Sequence, residues 1–192
     1  MEKSELLQKV KEAFSNDGII DIVAFAKDTL KIPIYEDPDM KELAVIHCSK
    51  NKNGKYKYYI DVNPNTSIER RRFSIAHELA HFVLHQDILK QVGSMAREDK
   101  KKALVKSGKK ESSIESENSK IERAADELAA DMLMPADILD ALAEKHGVKK
   151  DEYIYDPYNF SPIQKLAEEL RVSLNVCIER MRDLKYNVTS NI

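Results

Sequence analysis

Apolar and polar positions along this chain follow two periods. Leu6, Leu7, Val10 and Phe14 recur at helical spacing, and a second helical run covers residues 20–30, with Asn16-Asp17-Gly18 as the turn between them. Pro33 and Pro38 then interrupt helical order. The pattern next reads as strands over residues 31–35, 43–48 and 56–62, where Val45-Ile46 and Tyr58-Tyr59-Ile60 supply β-branched and aromatic side chains. Asn51-Lys52-Asn53-Gly54 predicts a hairpin between the last two. After Asn63-Pro64-Asn65-Thr66 a helix is expected from Ser67 to His85, with Ile75, Leu79, Phe82 and Val83 gathered on one face. Residues 93–120 lose the pattern: six lysines occur from Lys100 to Lys110 and a Ser/Glu-rich stretch follows. This segment reads as a mobile insertion or loop whose charges are solvated. Helices are expected again at 119–133, from Pro135 to 145, at 161–170 and at 173–186, with the aromatic connector Tyr153–Phe160 before the last pair. Helices, then a small sheet, then helices make the fold class α+β. The expected organisation is a main domain over residues 1–148 and a helical region over 149–192 packed on it.

Composition narrows the function. The chain has 192 residues, 42% hydrophobic and 33% charged, enough for a core under a well-solvated surface. A net charge of −2 and a pI near 6.2 argue against direct DNA binding, which needs an excess of Lys and Arg at phosphates. Residues 161–186 carry five basic and four acidic residues, too balanced for a DNA-reading surface. No apolar run reaches the roughly 18–20 residues of a membrane span, and the N-terminus reads as an amphipathic helix rather than a signal peptide. Cys48 and Cys177 are too few for a disulfide framework and read as buried thiols. These features together predict a cytoplasmic protein.

The chemistry sits in His77-Glu78-Leu79-Ala80-His81, an H-E-x-x-H pattern that chance would place in about one chain in eighty of this composition. Residues i and i+4 on a helix are about 40° apart and one turn apart. Two imidazoles so placed can converge on one ion at about 2 Å. Glu78 points about 100° away from His77. It is poorly placed to ligate that ion but well placed to take a proton from a water and pass it to a leaving amine. The pattern does not extend to H-E-x-x-H-x-x-G-x-x-H, because Leu84 and Asp87 stand at the last two places. A third ligand must come from elsewhere. Glu122 is the best candidate: it shares a helix face with Asp126, Ala129 and Leu133, while Glu127 and Asp131 point the other way, toward water. Asp126 would accept the free N–H of a ligating imidazole and fix its orientation. Alanines 125, 129 and 130 would let this helix approach the His helix closely. Zinc suits the ligand set best, and two His with one carboxylate also accept Mn2+ or Fe2+.

With these residues the chain resembles the ImmA/IrrE family of bacterial and phage metallo-endopeptidases. The resemblance rests on Arg70–His81 with Leu84-His85, on Glu122-x-x-Ala125-Asp126 leading into Leu133-Met134-Pro135, and on Leu166-Ala167 through Leu184. It implies a zincin-like catalytic domain followed by a helix-turn-helix-like bundle. It implies His77, His81 and Glu122 as metal ligands and Glu78 as catalytic base. The implied substrate is a helix-turn-helix repressor, cut to release transcription. The 93–120 segment departs from the family by its length.

Other residues have weaker claims. His85, one turn past His81, could assist at the site and reads better as a helix-end histidine. His47 and His146 read as surface or strand-end residues. An oxyanion must be stabilised during peptide hydrolysis, and Tyr153, Tyr155 and Tyr158 are available without a reason to choose among them. The competing function is a non-proteolytic protein that sequesters a repressor or toxin partner; the Glu78 carboxylate argues against it, since binding alone has no use for a base.

Overall fold

The structure is a computed structural model that describes residues 2–13, 19–106, 108, 111–152 and 161–188, with backbone alone at 97, 98, 111, 112 and 161. It opens with α1 (Lys3–Lys11), where Leu6 and Val10, one turn apart, are fully buried. Helix α2 (Ile22–Ala24) is capped by the Asp21 carboxylate, which accepts from the Ala24 amide, and continues as a π-helical turn over Phe25–Thr29. Strands β1 (Ile34–Glu36), β2 (Ala44–Lys50) and β3 (Tyr56–Val62) form one sheet in the order β1-β3-β2. The β2–β3 pair is the expected antiparallel hairpin, turned at Asn51–Gly54 with Gly54 at φ 77°. β1 pairs with β3 in parallel.

The Ser67 hydroxyl accepts from the Arg70 amide and starts α3 (Ile68–Leu84), close to the span expected from sequence. Its buried residues include Ile75, Leu79 and Ala80, and it packs on the sheet and on a later helix. A short α4 (Gln86–Val92) ends at Gly93, whose φ of 87° is the left-handed conformation that favours glycine. The chain then returns to the sheet. The Cys48 amide donates to Gly93 O at 2.7 Å, and the Met95 amide donates to Ile46 O at 3.0 Å.

The structure departs from the sequence reading next. Residues 93–120 are largely helical: α5 spans Arg97–Lys106, and α6 runs from Glu111 to Leu133, not from 119. The apolar signal is sparse because α5 buries only part of one face, through Ala103 and Leu104, and the start of α6 is mostly polar. Lys, Glu and Ala are good helix formers without an apolar stripe. Asp131 also differs from expectation. It does not face water but lies 2.6 Å from Arg180 and 2.7 Å from Lys3.

Helix α7 (Ala136–Lys145) follows Pro135, and α8 (Ser161–Leu170) and α9 (Leu174–Asp183) pack on α7 and α6. Arg180 of α9 is buried and also donates to Met134 O at 3.1 Å, which ties α9 to the corner between α6 and α7. Buried side chains from Leu6 to Val188 form one hydrophobic cluster. The architecture is therefore α+β, a small three-stranded sheet among helices. No helix among the described residues is long and apolar enough to cross a membrane.

The position of the α6 start is testable at Ser119, which is exposed and lies within the helix. Proline is tolerated in a first turn but costs about 3 kcal/mol in a helix interior. Ser119→Pro is expected to lower the unfolding free energy in urea by about that amount and to reduce helical circular dichroism. A near-neutral result would mean that the helix begins at 119.

Candidate metal centre

His77 and His81 stand one turn apart on α3 with ring centroids 4.6 Å apart and their Nε2 atoms 3.0 Å apart. His81 is fully buried. Each ring is held from behind. His77 Nδ1 lies 2.8 Å from Asp126 Oδ1, and His81 Nδ1 lies 2.9 Å from Nδ1 of His85, the residue that ends α3. Without an ion, the His77–His81 Nε2 contact is itself a hydrogen bond; with an ion at the common point, both Nε2 atoms would offer lone pairs and each Nδ1 would keep its hydrogen for its partner.

Helix α6 brings Glu122 to the same point. Its Oε2 is 3.5 Å from His77 Nε2 and its Oε1 is 3.7 Å from His81 Nε2. Among the described residues, His77, His81 and Glu122 form the group of potential ligands whose atoms all lie within 4.8 Å of one another. Ligand atoms about 2.0–2.1 Å from a tetrahedral ion sit about 3.3 Å from each other, so separations of 3.0, 3.5 and 3.7 Å suit a small divalent cation. Glu122 Oε1 also meets the Lys100 ammonium, at 2.7 Å, which keeps the carboxylate charged and available to an ion.

The centre lines a cavity of about 330 Å³ bounded by Leu43–Val45, Phe73, Glu78, Met95 and Lys100. Glu78 is 5% exposed, and its Oε2 accepts a 2.8 Å hydrogen bond from the Ile46 amide of β2. One carboxylate oxygen is thus anchored to the sheet.

Comparison with known proteins bears on the family and the fold. The family described as the IrrE N-terminal-like domain, of the M78 peptidases, matches residues 27–182. The chain belongs to this family. Among solved structures, a Mycobacterium tuberculosis transcriptional regulator superposes with a TM-score of 0.54 at 15% identity, over 93% of this chain and 45% of that one. That likeness concerns the fold, and the chain spans less than half the length of that structure. No curated protein matches by sequence. Membership of the M78 peptidases makes this a metallopeptidase-family protein, and the family implies a metal for which the His77, His81 and Glu122 cluster is suited.

Electrostatics divides the labour within this M78 site. Burial pushes the Glu78 carboxyl up to about 7, against the pull of His77 and the Ile46 amide. That is the range in which a carboxylate can both take and return a proton near neutrality. Burial and the neighbouring His77 and Lys100 charges depress His81 to about 2, so it is neutral and keeps its lone pair. Burial would raise Glu122, but His77 and Lys100 beside it hold it at about 2, as a carboxylate. His77 differs. Burial lowers its pKa, yet the bonds to Asp126 and Glu122 and the Glu78 charge outweigh this and raise it to about 9.

The other sequence candidates fall elsewhere. His85 touches His81 and not the common point of the three ligand atoms. His47 stacks on Tyr59 with Nε2 3.1 Å from Asp61, and His146 lies 2.8 Å from Glu169; neither lines the cavity. Tyr153, Tyr155 and Tyr158 lie outside the described residues. Cys48 and Cys177 are buried thiols, and burial pushes Cys177 up to about 12. The sequence reading missed Lys100, taken as part of a solvated charge run. Its signal was present: Lys100, Ala103 and Leu104 share helical spacing.

A cation entering the centre must displace one proton, that of His77, because His81 is already neutral and Glu122 already ionised. The folded pKa is raised, so the proton is held below about 9 and opposes metal binding there. Zinc affinity is expected to rise about tenfold per pH unit from about pH 6 and to level off near 9. Chelator competition across that range checks the slope, and calorimetry in two buffers should count about one proton released.

Proposed function

We propose that the chain is a zinc-dependent endopeptidase that cuts a helix-turn-helix transcriptional repressor and so relieves repression. The observation that carries this reading is the pairing of a three-ligand cluster with a buried carboxyl near neutral pKa in one cavity. His77, His81 and Glu122 would hold the ion, with Asp126 and His85 fixing the two imidazoles through their Nδ1 atoms. A zinc ion there supplies a Lewis acid that polarises the peptide carbonyl and lowers the pKa of a water. Two His and one carboxylate also accept Mn2+ or Fe2+.

Glu78 takes the proton as the water oxygen bonds to the carbonyl carbon, and returns it to the leaving nitrogen as the carbon–nitrogen bond breaks. The Ile46 amide holds one Glu78 oxygen and leaves the other for the proton. The cavity opens beside Leu43–Val45 of the β2 edge and Phe73, a surface that suits an extended peptide. The repressor assignment is supported by the family resemblance in the sequence. The α8–α9 pair, with its balanced charge, fits docking of a protein better than reading of DNA.

The test uses purified wild type, His81→Ala, Glu122→Ala and Glu78→Gln with repressors encoded beside the gene. We expect about one zinc per chain in wild type and Glu78→Gln, and loss or strong weakening in the two ligand variants. Cleavage should require both zinc and Glu78. A partner bound but uncut, with Glu78→Gln indistinguishable from wild type, would make the chain a sequestering protein instead.

A further inference from the structure

The residue that stabilises the oxyanion of peptide hydrolysis is not among those already given a role. Among the residues lining the cavity, Lys100 carries the one Lys or Arg charge, and it lies in the segment that the sequence reads as a solvated loop. It is 6% exposed. Burying an ammonium costs several kcal/mol unless partners offset it, and a lysine ammonium has three donors. Among the described residues its ion-pair partner is Glu122 Oε1 at 2.7 Å, one acceptor for three donors. The ammonium therefore has donors to offer an acceptor in the cavity.

Its position is engineered from the same strand that holds the base. Ile46 donates its amide to Glu78 and accepts from the Met95 amide through its carbonyl. On either side of the α5 start, Ser94 Oγ donates to Asp99 Oδ2 at 2.6 Å, and the Lys100 amide donates to Ala96 O. Ala103 and Leu104 bury the face of α5 that carries Lys100. Base and ammonium are thus referenced to one residue of β2, the rigid placement that electrostatic catalysis requires.

We propose that Lys100 is the electrophilic catalytic residue of the cleft, donating a hydrogen bond to the scissile carbonyl oxygen as negative charge develops there. This rests on the peptidase reading above. No proton of Lys100 is transferred: the water proton passes through Glu78 to the leaving nitrogen, and Lys100 keeps all three of its own. The class of ligand recognised is the tetrahedral oxyanion of a peptide.

The test compares zinc-loaded wild type with Lys100→Met and Lys100→Arg, by calorimetry, against two probes: a phosphoramidate dipeptide and the plain dipeptide amide of the same side chains. Zinc affinity is measured on each variant by chelator competition, and folding by circular dichroism. Lys100→Met should bind the phosphoramidate about 10–100-fold more weakly, with dipeptide and zinc affinity little changed, and Lys100→Arg should recover part of the loss. Equal phosphoramidate binding by Lys100→Met overturns the proposal and leaves the peptidase reading standing. A fall in zinc affinity as large as that of Glu122→Ala also overturns it, making Lys100 a residue that positions Glu122. If wild type shows no zinc-dependent binding of the phosphoramidate, the peptidase reading fails and the proposal with it. Should Lys100→Met not fold, Lys100→Gln decides: phosphoramidate binding at least about tenfold weaker with zinc affinity kept supports the role, and equal binding overturns it.

Discussion

The close approach of α3 and α6 is the constraint on which the site depends. Ala76 and Ala80 on one helix and Ala125 and Ala129 on the other are all fully buried. Small side chains let two backbones come near enough for Glu122 and Asp126 to reach His77 across the gap, at 3.5 and 2.8 Å. Larger residues would hold the helices apart, and the ligand atoms would no longer share a point.

That approach places an unusual amount of charge in a poorly solvated space. Glu78, His81 and Lys100 are all buried, and His77 and Glu122 are partly buried. Buried ionisable groups persist when each offsets another. Here His77 is braced by two carboxylates, Glu122 by two cations, and Glu78 by a backbone amide. The arrangement leaves one carboxyl near neutral pKa and one imidazole neutral, the division expected of a base and a ligand. Elsewhere a second buried charge does structural work: Arg180, between Asp131 and Met134 O, fastens α9 to α6.

Much of this was legible in the sequence because it is local. Helical period, the Ser67 cap and the Asn51–Gly54 turn depend on residues a few positions apart, so α3 and the β2–β3 hairpin appear close to where the pattern predicts. The spacing of His77 and His81 is likewise a property of one helix, and the helix face shared by Glu122 and Asp126 is a property of another. Residues 93–120 were illegible for a related reason. Their helices are polar, and only Ala103 and Leu104 mark the buried face of α5.

The sequence by itself determined the α+β class, the hairpin, the one-turn spacing of His77 and His81 and the helix face shared by Glu122 and Asp126, because each follows from periodicity and residue chemistry. Only the tertiary structure decided the β1-β3-β2 order, the meeting of α3 with α6, the pairing of Glu78 with the Ile46 amide, the contact of His85 with His81 and the burial of Lys100 beside Glu122. Those facts join residues separated by tens of positions. Their energies come from packing and desolvation in a shared interior, which no local pattern records.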